Sequence, residues 1–455
     1  MICHSFATTP FHRPGDPAYE DACTLFNAMV ETRPALVAEC AGADDVRASL
    51  AYARTNGLPV AVRAGGHSVT GRSLVEDGLV LDVRPMNRVI VDPVRRVVRA
   101  EGGATWADVD RATQPHGLAT TGGRVSSTGV VGLTLGGGSG WLERRDGLAC
   151  DNLQAVELVT ADGSRVRADA DDHADLLWAM RGGGANFGVV TAVELALHPL
   201  PEQVLAGLVL HPHERAAEVL AFFADLMRDA PDQLSIAYLD LLVPADAAIP
   251  AALHGRRAVA LAGMWIGDVA EGERELAALR AFGPPAADLF EPMAYADFQR
   301  ALDDPPGFRN WWTSEYVEDL TPDAIAEIAR RSAQLPVGPS QLLIARWGGA
   351  VARQDPAATP MRGRDAAFVV HPLMLWEQAG DDAAMIDQGR AFRDALAPWA
   401  TGHAYLNFIG DEGEQRVRAA YGPAFERLAA VKRAWDPDGV FHGNQSIPLQ
   451  EAARV

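Results

Sequence analysis

The chain reads as an α+β protein of two or three domains, on three observations. Its 455 residues are too many for one ordinary core. The first 200 residues alternate short strands with short helices and hold three glycine clusters. Residues 202–400 set longer helical stretches against strand-like runs joined by proline-rich loops. That second pattern is expected of an antiparallel sheet that carries helices on one face and covers a cofactor with the other.

Asp44-Asp45 caps a helix with Val46, Leu50 and Ala53 at helical spacing, ended by Asn56-Gly57. Leu58–Val62 follows as a short buried strand and runs into Gly65-Gly66-His67-Ser68. Further strands are predicted around Leu79–Val83 and Val97–Ala100. Thr105 caps a helix with Trp106 and Val109 inward, stopping near Pro115 and Gly117, and Asp172 caps another that runs to Met180. Val189–Leu197 alternates as a strand, and His198-Pro199-Leu200-Pro201 is the best domain boundary. Beyond it, helices are predicted over Glu214–Arg228, Glu271–Phe282 and Pro322–Ala333, and strands over Ala258–Trp265 and Gln341–Trp347. Gly413–Trp435 reads as one long amphipathic helix, ended by Asp436-Pro437-Asp438-Gly439.

The net charge of −20 argues against nucleic acid and acidic membranes, both of which repel such a surface, and favours a small-molecule ligand. No apolar run reaches spanning length, and the first residues lack the layout of a signal peptide, so the expected compartment is the cytoplasm. Cys3, Cys23, Cys40 and Cys150 form no Cys-x-x-Cys pair and are expected to be free thiols, with no metal site.

The glycine clusters at 65–66, 136–140 and 182–184 fit no standard phosphate motif. Counting from Gly136 or Gly182, the third glycine of a Rossmann fingerprint would fall on Trp141 or Phe187. No Lys-Ser or Lys-Thr follows a suitable loop, so a P-loop fails too. Successive glycines still let bare N–H groups converge on phosphate oxygens, and three clusters favour a non-Rossmann dinucleotide site over simple tight turns.

Four motifs then occur in order: Arg63-Ala64-Gly65-Gly66-His67-Ser68 with Gly71; Thr121-Gly122-Gly123; Thr128-Gly129-Val130-Val131-Gly132 through Gly138-Ser139-Gly140; and Arg181-Gly182-Gly183-Gly184 through Gly188-Val189-Val190-Thr191. With Tyr405-Leu406-Asn407-Phe408 and Asp436 through Asn444-Gln445-Ser446-Ile447-Pro448, they resemble the berberine bridge enzyme-like FAD-linked oxidases of the vanillyl-alcohol oxidase superfamily. The resemblance implies a PCMH-type FAD-binding domain over residues 1–200, a substrate-binding domain over 201–410, and a C-terminal segment, 411–455, that returns to the FAD domain. It implies that His67 is bonded to the 8α-methyl group of FAD and that Gly65, Gly66 and Ser68 lie along the diphosphate. Arg63, Ala64, Gly71, Gly122, Thr128, Gly129, Gly132, Gly138, Gly140, Gly188, Val190 and Asn444 would form the rest of the cofactor site.

Two departures from the family pattern matter. Val125 stands where many relatives carry a second, cysteine linkage, so a single covalent bond is expected, and Cys150 reads as a buried free thiol. Val69 replaces a frequent aromatic residue, which weakens any transfer of carbohydrate contacts.

The resemblance implies hydride removal from a carbon bearing OH or NH, then electron transfer to dioxygen giving hydrogen peroxide. The resemblance places Thr128 where relatives control dioxygen access, so this small residue implies an oxidase over a dehydrogenase. The protein must supply a proton acceptor. His371, aligned through Arg364, Phe368 and Trp376, is one candidate, and a histidine pairing with backbone at a strand end is the other reading. Tyr405 and Asn407, two apart on an expected strand, would share one face. Trp311, Trp312 and Tyr316 either wall the substrate pocket or pack the core. A dehydrogenase, an oxidative cyclase and a flavin-binding protein without turnover are the alternatives, and the assembly is expected to be a monomer or homodimer.

Overall fold

The protein is described by a computed structural model over residues 9–336, 338–443 and 445–449. A four-stranded sheet orders Phe11–His12, Leu36–Glu39, Leu79–Asp82 and Val60–Arg63, with the last three strands parallel. Parallel strands need a crossover, and the helix Ala43–Asn56 supplies one between Leu36–Glu39 and Val60–Arg63, which flank Leu79–Asp82. It buries Val46, Leu50 and Ala53 as their spacing predicts, and Gly57, left-handed at φ 65°, stops it. A five-stranded antiparallel sheet orders Val89–Asp92, Val97–Glu101, Val189–Ala196, Leu153–Val159 and Arg165–Ala168. The helix Trp106–Thr113 starts on Thr105, whose N–H and hydroxyl both donate to Asp108 at 3.0 and 2.7 Å.

A nine-stranded sheet follows, its central path running through Val204–Pro212, Arg257–Trp265, Leu234–Leu242, Gln341–Arg346, Phe368–Trp376 and Arg309–Trp312. Helices Ala216–Arg228, Pro322–Ser332 and Asp382–Leu396 cover one face, burying Phe223, Ile328 and Phe392 against Leu342, Ile344, Val370 and Met374. Side chains alternate along a strand, so Gln341, Leu343, His371 and Leu373 take the opposite face. Register sets Leu343 opposite His371 and Gln341 opposite Leu373. The chain end folds back: Tyr421, Phe425, Leu428 and Ile447 share a core with Val98, Trp106, Phe187 and Leu195.

Five expectations need correction. Asp44 and Asp45 do not cap their helix: Gly42 precedes Ala43–Asn56, and both aspartates lie within its first turn. The predicted helix 413–435 is two, Glu414–Tyr421 and Ala424–Trp435, because Gly422 takes φ 51° and Pro423 cannot continue the ladder. The predicted helix 271–282 breaks at Leu276 into Val269–Glu275 and Ala277–Ala281. His173, left-handed at φ 58°, and not Asp172, precedes the helix Ala174–Met180. Tyr405 and Asn407 lie on no strand, since Leu406–Phe408 forms a single 3-10 turn.

Candidate active site

The strand Val60–Arg63 delivers the loop that carries His67. Gly66 sits at φ 73°, and a Cβ there would meet the Arg63 guanidinium at 2.5 Å, so only glycine fits. Gly65 crosses the backbone of Gly129 so closely that its Cβ would lie 2.2 Å from the Gly129 nitrogen. Arg63 holds the turn from beneath, donating to the carbonyls of Ala22, Thr24 and Ala64. Burial pushes this guanidinium down to about 10.

His67 is held on both ring nitrogens and one face. Its Nε2 lies 3.0 Å from Ser127 Oγ and its Nδ1 3.4 Å from Thr128 Oγ1. Phe26 stacks on the ring at 4.4 Å. Burial, helped by the Arg63 charge, pushes the imidazole down to about 4, so the ring is neutral near pH 7 and keeps a nucleophilic lone pair.

Ring contacts then run without a break to the other candidates. Phe26 meets Trp312 at 6.0 Å, Trp312 meets His371 at 5.5 Å, and His371 stacks on Phe408 at 4.1 Å. Phe408 meets Tyr405 at 4.7 Å. His371 Nδ1 lies 2.8 Å from the Thr313 carbonyl, which only accepts, so Nδ1 carries the proton and Nε2 is the acceptor. His371 thus pairs with backbone, inside the strand Phe368–Trp376 and not at its end, and Nε2 keeps a lone pair. Burial pushes it down to about 3.

Tyr405 and Asn407 meet although they share no strand, with Asn407 Nδ2 donating to the phenol oxygen at 3.2 Å and to the Leu133 carbonyl at 2.9 Å. The same phenol oxygen accepts the N–H groups of Gly138 at 2.6 Å and Ser139 at 2.8 Å. Three donors on one oxygen favour its anionic form, while burial opposes it more strongly and raises the phenol. The second glycine cluster thus receives Tyr405 and Asn407. Nearby, Gly122, Gly138 and Gly140 owe their smallness to Trp106, Ala149 and the Gly122 carbonyl, so protein neighbours are sufficient to demand it. A Cβ at Gly132 meets nothing within 4 Å.

Other predicted residues fall elsewhere. Gly188 presses on Leu158 and Val159, and Val190 sits in the core of the antiparallel sheet, with no described contact to the His67 loop. Gly71 packs against Val30. Trp311 and Tyr316 are core residues, whereas Trp312 joins the ring chain. Cys150 is a buried free thiol, raised by burial. Asn444 lies outside the described residues.

Several contributors carry no sequence signal. Asn27 donates to the carbonyls of Val69 and Asn310 at 2.8 and 2.9 Å, tying the His67 loop to the large sheet. Asp303 and Gln299 grip the loop that bears Ser127. Asp304 accepts from Gln341 at 2.8 Å, on the His371 face of the sheet, and burial raises its carboxyl. None of these polar residues belongs to a motif, and their partners are far off in the chain.

The residues present fit FAD. Among the described residues, the N–H groups of Gly65, Gly66 and His67 have no acceptor, and three successive free donors in a turn form an anion cradle. A cavity of about 440 Å³ lies at the C-terminal signature, lined by Arg72, Asp411, Glu414, Lys432, His442 and Gln445, and none of residues 65–67 or 128–140 lines it. Among the described residues no cluster suits a metal ion, and no helix is long and apolar enough to cross a membrane.

Fold and site define an FAD-dependent oxidoreductase, and the chain belongs to the berberine bridge enzyme-like family of PCMH-type FAD-linked oxidases. The family models described as FAD binding domain and as Berberine and berberine like match residues 34–169 and 404–448. Over 450 residues the chain is 30% identical to (R)-6-hydroxynicotine oxidase of Paenarthrobacter nicotinovorans, covering 95% of each chain. It is 29% identical to the FAD-linked oxidoreductase YgaK of Bacillus subtilis, again over 95% of each. The crystal structure of 6-hydroxy-D-nicotine oxidase from Arthrobacter nicotinovorans superposes with a TM-score of 0.88 at 28% identity, covering 99% of this chain and 100% of that one. BBE-like 1 of Physcomitrella patens shares the fold, with a TM-score of 0.87 at 21% identity over 97% of each chain.

Proposed function

We propose that the protein oxidises a small organic molecule at a carbon bearing OH or NH, by hydride transfer to FAD held covalently through His67, with dioxygen as the acceptor. The unbroken ring path from His67 through Phe26, Trp312 and His371 to Phe408 and Tyr405 carries this reading. It gathers an attachment group and proton-handling groups along one side of the large sheet. The oxidase activity in the names of related proteins supports dioxygen over another acceptor.

FAD, when bound, supplies the hydride acceptor. The free donors of residues 65–67 hold its diphosphate, and Thr128, Gly129 and Gly132 flank it. Neutral His371 accepts a hydrogen bond from the substrate OH or NH at Nε2 and orients it. Tyr405, kept as the neutral phenol by burial, anchors the glycine loop beside that nitrogen, so Nε2 of His371 receives the proton, and Asn407 keeps the phenol oxygen in place. Trp312 and Phe408 wall the space and exclude water. With Val125 in the place of a cysteine, His67 is the sole attachment.

Attachment is read by flavin fluorescence on a denaturing gel under acid. The wild-type band glows and His67→Ala does not; a dark wild-type band overturns the covalent reading. Anaerobic bleaching across alcohols, sugars, amines and phenols, followed by peroxide assay on admitting air, tests the reaction. Bleaching without peroxide would make the protein a dehydrogenase or cyclase.

A further inference from the structure

We infer that Asp303 is a positioning residue for flavin attachment, setting the loop whose hydroxyls hold both nitrogens of His67. This rests on the covalent role proposed for His67. Asp303 follows the helix Tyr295–Ala301, and both its oxygens are committed to one residue 177 positions away. Ser126 N–H donates to Oδ1 at 2.6 Å and Ser126 Oγ to Oδ2 at 2.5 Å. From the same helix, Gln299 donates to the Gly123 carbonyl. Residues 123 and 126 are thereby fixed at two points by one helix end. The next two residues, Ser127 and Thr128, are the ones that meet His67 Nε2 and Nδ1. The opposite constraint, Phe26 on the ring face, comes from a different segment, so a shift of the 123–128 loop turns the imidazole instead of carrying it along.

Orientation matters because attachment is a bond-forming step at one nitrogen. The imidazole gives up its N–H and bonds to the 8α carbon, which loses one C–H. The two protons and two electrons released reduce the flavin and pass finally to dioxygen as hydrogen peroxide. A carboxylate that clamps both donors of Ser126 holds the attacking nitrogen in line at no cost to its lone pair.

The test is the time course of acid-stable flavin fluorescence after FAD is added to full-length chain produced under riboflavin limitation. Asp303→Ala attaches flavin at least about tenfold more slowly than wild type, the low end of what an ångström-scale misplacement costs. Asp303→Asn, which keeps an acceptor for Ser126 N–H, lies between them. Asp297→Asn, on the same helix but paired only with exposed Arg300, attaches at the wild-type rate. A role confined to folding would lower the melting temperature of Asp303→Ala and leave the rate of its folded fraction unchanged, which overturns the inference. Should Asp303→Ala yield no folded protein, Ser127→Ala carries the test: slowed attachment supports the inference and a wild-type rate overturns it. A wild type that never acquires fluorescence instead overturns the His67 reading.

Discussion

At the scale of single residues, the two histidines of the site are neutral because burial disfavours their charged forms, His67 near 4 and His371 near 3. The unfolded chain takes up protons below an ordinary imidazole value of about 6.5. Between that value and the folded ones the unfolded state binds more protons, so stability rises with pH and is lost on acidification from about 6.5 downward. His211 and His442, also lowered by burial, act in the same direction. Replacing His371 by Gln removes one titrating group, and the pH slope of unfolding free energy falls by roughly 1.4 kcal/mol per unit in this window. Melts of wild type and variant between pH 4 and 7 (approximately) measure it; parallel slopes would contradict a neutral His371. Tyr405 offers a second check. Tyr405→Phe strips the acceptor from Gly138 and Ser139 N–H, costing about 1–3 kcal/mol for each buried donor left unpaired. Because Tyr405 is a positioning group beside the reacting centre, the change also lowers kcat, by about 10²-fold for a misplacement of about 1 Å. A denaturant melt and a turnover assay separate the two losses, and an unchanged kcat would rule out that positioning role.

At the scale of elements, periodicity was legible wherever local rules decide, but of the predicted N-terminal caps only Thr105 held. Val46, Leu50 and Ala53 face the core, Thr105 caps its helix, and the strand Gln341–Arg346 lies within the predicted run Gln341–Trp347. Legibility ended where tertiary contacts override local pattern. Amphipathic spacing continues through Gly422-Pro423, but the chain needs a corner there to bury both Tyr421 and Phe425. The turn at Leu406–Phe408 is set by its docking on the glycine loop, which no local spacing reveals. Asn27, Asp303 and Asp304 read as ordinary loop polars because their partners are distant. The glycines give an element-scale prediction. In Gly140→Ala the new Cβ would fall 1.6 Å from the Gly122 carbonyl oxygen, backbone against backbone, so the variant yields no soluble holoenzyme. Gly132→Ala meets nothing and sits within the helix Val130–Leu135, so the fold gains roughly 0.5–1 kcal/mol. Its FAD content nevertheless falls if Gly132 flanks the cofactor as proposed. Soluble yield, melting temperature and the flavin-to-protein absorbance ratio decide these outcomes, and a stable Gly132→Ala with full FAD would take Gly132 out of the cofactor site.

At the scale of the whole molecule, both chain ends build one core, and a buried cation fastens them. The family resemblance implied this closure; the cation that locks it was not legible, since Lys432 looks like any lysine on an amphipathic helix. Lys432 is 1% exposed and donates to the carbonyls of Asn186 at 2.7 Å and Phe441 at 2.6 Å and to Asp436 at 2.5 Å. Asn186 in turn holds the C-terminal signature, donating to the Gln445 carbonyl at 3.1 Å and accepting from Ile447 N–H at 3.3 Å. Asp436 accepts from the N–H groups of Val440 and Phe441 at 2.9 Å each. One ammonium thus joins the third glycine loop to the C-terminal signature. Lys432→Met keeps the volume and leaves a buried carboxylate without its counter-charge, at a cost of about 3–5 kcal/mol. FAD retention falls with it, because the C-terminal signature is released from Asn186. Adding Asp436→Asn removes the stranded charge while keeping an acceptor for the two N–H groups, so the double variant recovers part of the melting temperature. If single and double variants melt alike, the loss comes from packing around Lys432 and not from an unpaired charge at the junction of the chain ends.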